Sequence, residues 1–136
     1  MIPWLRNLFG NRPVPLKGVP KVRREKTYSA DTGYVYQYFY QGYREASRGG
    51  DHGHEYLFSV GSSRASRFDL RVFLSRRALE SWETANGREL VPTEHYALVK
   101  LSLFRAFDER QDFSGENSQV VVTPEQVAEH VNTLDL

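Results

Sequence analysis

Residues 32–46, TGYVYQYFYQGYREA, constrain this chain more than any other stretch. Tyr34, Tyr36, Tyr38 and Tyr40 occupy alternate positions, and Tyr43 follows. Alternate side chains of a β-strand share one face, so a strand here lines up four rings as a tyrosine stripe. Val35, Gln37, Phe39, Gln41 and Tyr43 then fall on the opposite face. Aromatic and β-branched residues suit a pleated, half-buried surface, which supports a strand. The fold must therefore contain a sheet with an aromatic face. Whatever touches that face decides the role of the stripe.

The segments that follow supply partners for this strand. Residues 55–60, EYLFSV, alternate so that Tyr56, Phe58 and Val60 share a face. Residues 68–74, FDLRVFL, place Phe68, Leu70, Val72 and Leu74 on one face and Asp69, Arg71 and Phe73 on the other. The polar stretches at 47–54 and 61–66 read as connecting loops. Strands joined this closely form an antiparallel meander. Residues 120–122 offer a further short strand.

The apolar period then changes to that of helices. Ser75 is placed to cap a helix carrying Ala78, Leu79, Trp82 and Ala85, which Asn86-Gly87 ends. Thr93 is placed to cap a longer helix from Glu94 to about Arg110. Its broad apolar face holds Tyr96, Val99, Leu103, Phe104, Ala106 and Phe107, the mark of a central buried helix. Thr123, Pro124 and Gln126 have the spacing of a capping box, with Val122 and Val127 as its staple. Val127, Val131 and Leu134 form the buried stripe of this last helix. The expected fold is α+β: an antiparallel meander of three to four strands followed by three helices packed on one face.

Charge divides the chain where periodicity does not. Residues 1–26 carry seven basic residues against Glu25 alone, while the rest carries 11 basic and 16 acidic residues. A net +6 arm thus precedes a net −5 body, and a basic arm favours anionic partners. Pro13, Pro15, Gly18 and Pro20 make residues 11–26 an extended linker. Ahead of it, Trp4, Leu5, Leu8 and Phe9 have the spacing of a short helix too brief to stand alone in water. That segment needs a surface: the body, a partner, or a membrane reached peripherally with help from the basic run. The expected division is an arm over residues 1–26 and one domain over residues 27–136.

No cysteine is present, which excludes disulfides and thiolate chemistry. No apolar run approaches the ~20 residues of a membrane span. The amino terminus lacks a secretory leader's continuous apolar core, so a cytoplasmic setting is expected.

Catalytic signals are sparse. Asp51, His52, His54 and Glu55 make the single metal-like cluster, but the spacing fits no specific signature. No nucleophile elbow, phosphate loop or dinucleotide fingerprint is present, and no cofactor is expected. Lys100 falls inside the apolar face of the central helix, where a lysine either shifts its pKa or extends its ammonium to water. The residues therefore favour binding over catalysis. The first expectation is a protein partner or a homodimer, through Tyr34, Tyr36, Tyr38, Tyr40, Trp4 and Phe9. The alternative is single-stranded nucleic acid on Tyr36, Tyr38, Arg71 and the basic arm, with Phe73 on the face of Arg71. A small enzyme using the His52/His54 segment or Lys100 is the third.

Overall fold

A computed structural model of the chain describes residues 14–62 and 66–136. Five strands form one sheet in the order β1-β2-β3-β4-β5. They are β1 (Lys26–Ser29), β2 (Val35–Arg48), β3 (Asp51–Ser62), β4 (Phe68–Ser75) and β5 (Gln119–Val122). The first four are antiparallel neighbours in sequence order, and β5 runs parallel to β4. Between β4 and β5 lie α1 (Arg76–Asn86) and α2 (Pro92–Glu109), and α3 (Pro124–Thr133) closes the chain. This is the expected α+β arrangement of a meander followed by three helices, with a larger sheet.

Two glycine sites explain why β2 and β3 outrun their sequence signals. Gly49 and Gly50 both hold positive φ, 55° and 86°. That is the backbone of a two-residue hairpin turn, which side chains with a Cβ resist. The segment expected as a loop is therefore a continuous hairpin, and His52 and His54 stand on β3. At Gly42, φ is 130° and the β2–β3 register shifts between Tyr40 and Gly42. This bulge reverses the facing of the rest of β2. Tyr43, expected opposite the stripe, pairs with Tyr56 and packs against the same core.

The helices cover the tyrosine face. Tyr36, Tyr38, Phe58, Val60, Leu70, Val72, Val120 and Val122 meet Leu98, Val99, Leu103 and Phe107 of α2 and Val127 and Val131 of α3 in one buried cluster. Tyr36 stacks on Phe107 at 4.4 Å between ring centres, and Tyr28 of β1 stacks on Phe104 at 4.5 Å. The Tyr28 hydroxyl donates to Asp108 Oδ2 at 2.8 Å, and the Asp31 amide donates to Oδ1 at 2.9 Å. Asp108 thereby ties the β1 edge to the last turn of α2. On the second sheet face, Phe39, Leu57 and Phe73 are also buried. Phe39 lies beneath two guanidinium groups, Arg23 at 4.8 Å and Arg67 at 5.2 Å. Arg67 is ion-paired with Glu25.

The caps follow local chemistry with one shift. Ser75 Oγ accepts from the Ala78 amide at 3.0 Å, and Gly87 takes the left-handed backbone that ends α1. Thr123 and Gln126 exchange both bonds of the capping box. α2, however, starts at Pro92 with Val91 at its cap, and not at Glu94 after Thr93. Glu94 fixes that start by accepting from the Val91 amide at 2.9 Å, and proline suits the first helical position. No helix among the described residues is long and apolar enough to cross a membrane.

Candidate functional site

The tyrosine stripe is core at its centre. Tyr36 is 2% exposed and Tyr38 is 4% exposed, both beneath α2. The expectation that they form a contact surface is corrected by this burial: an aromatic face this large removes most area from water when a helix covers it. Tyr34 and Tyr40, at the two ends, stay partly accessible. Phe73 is 2% exposed and so presents no ring to solvent, while Arg71 beside it is partly exposed. Arg71 and the tyrosines fall on opposite faces of the sheet and cannot act together. Trp4 and Phe9 lie outside the described residues.

The histidines of β3 have local partners. His52 Nδ1 and Ser47 Oγ are 2.7 Å apart across the hairpin, and the His54 ring packs 4.9 Å from Tyr43. No group of three or more metal-ligating side chains exists among the described residues.

Lys100 holds a different kind of position. Its Nζ lies 5.0 Å from the Tyr38 ring centre, 5.3 Å from Phe104 and 5.7 Å from Tyr96. Three ring faces around one ammonium stabilise the cation through their quadrupoles. Burial, and then the nearby charge of Lys26, pull its pKa below the ordinary lysine range. Lys100 is thus a half-buried cation whose nearest charged influence is another cation.

The basic arm brings more cations to the same place. Lys17 pairs with β2, exchanging two backbone bonds with Tyr43 at 2.7 and 3.0 Å. The chain rejoins the edge of β2 at Lys26, which stands opposite Tyr38. Between these anchors, where Pro20 withholds a donor, the arm leaves the edge unpaired. This stretch borders a cavity of ≈ 430 Å³ whose walls include Pro20, Lys21, Arg24 and Lys26 on one side and Tyr40 and Tyr96 on the other. The Tyr40 and Tyr96 rings are 4.9 Å apart. Burial raises both hydroxyl pKa values, that of Tyr96 to about 12, so both stay protonated and able to donate at neutral pH.

The ion pairing of the molecule is uneven. Arg44, Arg67, Arg76, Arg77, Arg88 and Arg105 each meet a carboxylate. Among the described residues, Lys17, Lys21, Arg23, Arg24, Lys26 and Lys100 have no such partner, and neither do Arg48, Arg71 and Arg110 elsewhere on the chain. The basic run was visible in sequence, and so was the odd position of Lys100. Their convergence on Tyr40 and Tyr96 was not, because it depends on where the arm returns to the sheet. Comparisons with protein-family models, with curated proteins and with solved structures found no match to this chain.

Proposed function

We propose that this protein is a non-catalytic binding module for single-stranded nucleic acid, held by the basic arm and the two tyrosines beside it. One observation carries the reading: Lys21, Arg24 and Lys26 line a cavity with two aromatic walls, Lys100 lies over one of those rings, and none of the four has a carboxylate partner. Unpaired cations beside accessible rings suit a ligand that carries both phosphates and stackable bases. A protein partner or homodimer recognised through the tyrosine stripe has less support, because Tyr36 and Tyr38 would have to leave the core.

Fluorescence anisotropy with a labelled oligonucleotide tests the reading. Stacking on Tyr40 and Tyr96 requires unpaired bases, whereas phosphate attraction alone does not. The single strand is expected to bind about tenfold more tightly than its duplex, one stacked base contributing ~1–3 kcal/mol. Equal affinity for both forms, or no saturable binding to either, would remove the proposal.

A further inference from the structure

We infer that the cavity between the arm and α2 seats the terminal phosphomonoester of a strand, and not a phosphodiester within it. This inference rests on the nucleic-acid reading above and deepens it. It is drawn from the shape of the cavity and from the number of charges at its edge.

The shape comes first. Along β2 the cavity is stopped at both ends by pairing, at Tyr43 with Lys17 and at Tyr38 with Lys26. A strand can put an end into such a space but cannot run along β2 through it. The volume of ≈ 430 Å³ also suits one small group, since small-ligand pockets span ~300–1,000 Å³. A stacking wall is present for the last base, in Tyr40 and Tyr96.

Charge points the same way. Lys26 lines the cavity, and the Lys100 Nζ lies over the ring of Tyr96, which forms part of its wall, and over Tyr38. These two ammonium groups repel each other across a partly desolvated space, with no carboxylate to offset them. Lys21 and Arg24 add two further cations at the rim. A phosphodiester offers one negative charge, whereas a phosphomonoester carries about −1.5 to −2 near neutral pH and has three acceptor oxygens. The dianion relieves the Lys26–Lys100 repulsion more completely. It also leaves an oxygen for the protonated Tyr40 or Tyr96 hydroxyl.

The test uses the full chain and one sequence of about eight nucleotides, within the ~4–16 typical of single-strand sites. It is prepared with a 5′-phosphate, with a 3′-phosphate, and with hydroxyls at both ends. Affinities are read by anisotropy at one ionic strength. One phosphorylated form is expected to bind about tenfold more tightly than the hydroxyl form, as charge-assisted bonds allow. Comparison of the 5′ and 3′ forms identifies which end enters. Lys100→Met and, separately, the exposed Lys26→Met should erase that advantage, so that each variant binds the phosphorylated and hydroxyl forms equally, whatever affinity the two forms lose in common. Lys100→Arg, which keeps the charge, should restore it. Should Lys100→Met fail to fold, Lys26→Met decides alone. Equal binding of all three forms by the wild type overturns the inference and leaves the nucleic-acid reading standing. Failure of every form to bind overturns both.

Discussion

Removing one oxygen atom from each of two tyrosines should change stability in opposite directions. Tyr28 and Tyr36 both stack on α2, over Phe104 and Phe107. Their hydroxyls differ. The Tyr28 hydroxyl donates to the Asp108 carboxylate at 2.8 Å. The Tyr36 hydroxyl is buried without a hydrogen-bond partner. A hydrogen bond to a charged group contributes ~1.5–3 kcal/mol, and an unpaired buried polar group costs ~1–3 kcal/mol. Asp108 is partly exposed, so water replaces some of what Tyr28→Phe removes. Tyr28→Phe is therefore expected to destabilise by about 1–2 kcal/mol. Tyr36→Phe leaves the ring stack intact and removes the stranded hydroxyl, for an expected gain of about 0.5–2 kcal/mol. Urea melts at neutral pH give both values, provided the slopes match that of the wild type. A loss above about 1 kcal/mol for Tyr36→Phe would show that its hydroxyl is paired after all, and the assignment of this part of the core would be wrong.

Further outcomes follow from the same structure. Stability should fall as pH rises from 10.0 towards 12, because Tyr28, Tyr56 and Tyr96 are each pushed from the ordinary 10.0 up to about 12. Above 10.0 the unfolded chain has lost protons that the folded chain keeps, so the slope is negative, and urea melts in that window measure it. In acid the sign reverses. Burial lowers the pKa of His95 and His130, His130 beside Ser102 Oγ at 3.1 Å, so stability present above pH 6.5 should be lost as pH falls below it. Gly42→Ala should cost about 1–3 kcal/mol, from the positive φ and a new Cβ placed 2.7 Å from the Lys17 carbonyl. Limited proteolysis of that variant should cut sooner between residues 14 and 25, since the Lys17–Tyr43 pairing anchors the arm.

Alternation in the tyrosine strand, the period change after Ser75 and the Thr123–Gln126 box were local signals, and each maps onto an element of the fold. What the sequence concealed was set by contacts between distant residues. The Gly42 bulge moved Tyr43 to the stripe's own face, a change that alternation alone cannot register. Gly49-Gly50 looked like a loop because its polar neighbours hid a tight hairpin turn. β1 was concealed in the last residues of the basic run, where Tyr28 is the one aromatic residue of a four-residue strand. The direction of β5 depends on the α1–α2 crossover and not on Val120 or Val122 themselves. The stripe's burial was one of two readings that its alternation allowed, because a wide aromatic strand face suits a covering helix and a partner alike. Lys100 stood out among Tyr96, Phe104 and Phe107 in sequence, and Lys26 stood out as charge. Only the pairing of Lys26 with Tyr38 brings the two together.

The salt dependence of oligonucleotide binding tests the central claim most directly. A single strand that neutralises cations on the arm releases counterions, and log affinity falls against log salt by ~0.7 for each phosphate engaged. With Lys21, Arg24, Lys26 and Lys100 taking part, the slope should be about −3, and Lys21→Ala with Arg24→Ala should bring it to about −1.4. Both residues are exposed, so the double variant should keep the wild-type melting curve. A slope near zero, or a double variant whose slope equals that of the wild type, would contradict the assignment of this arm and cavity as an anion-binding surface.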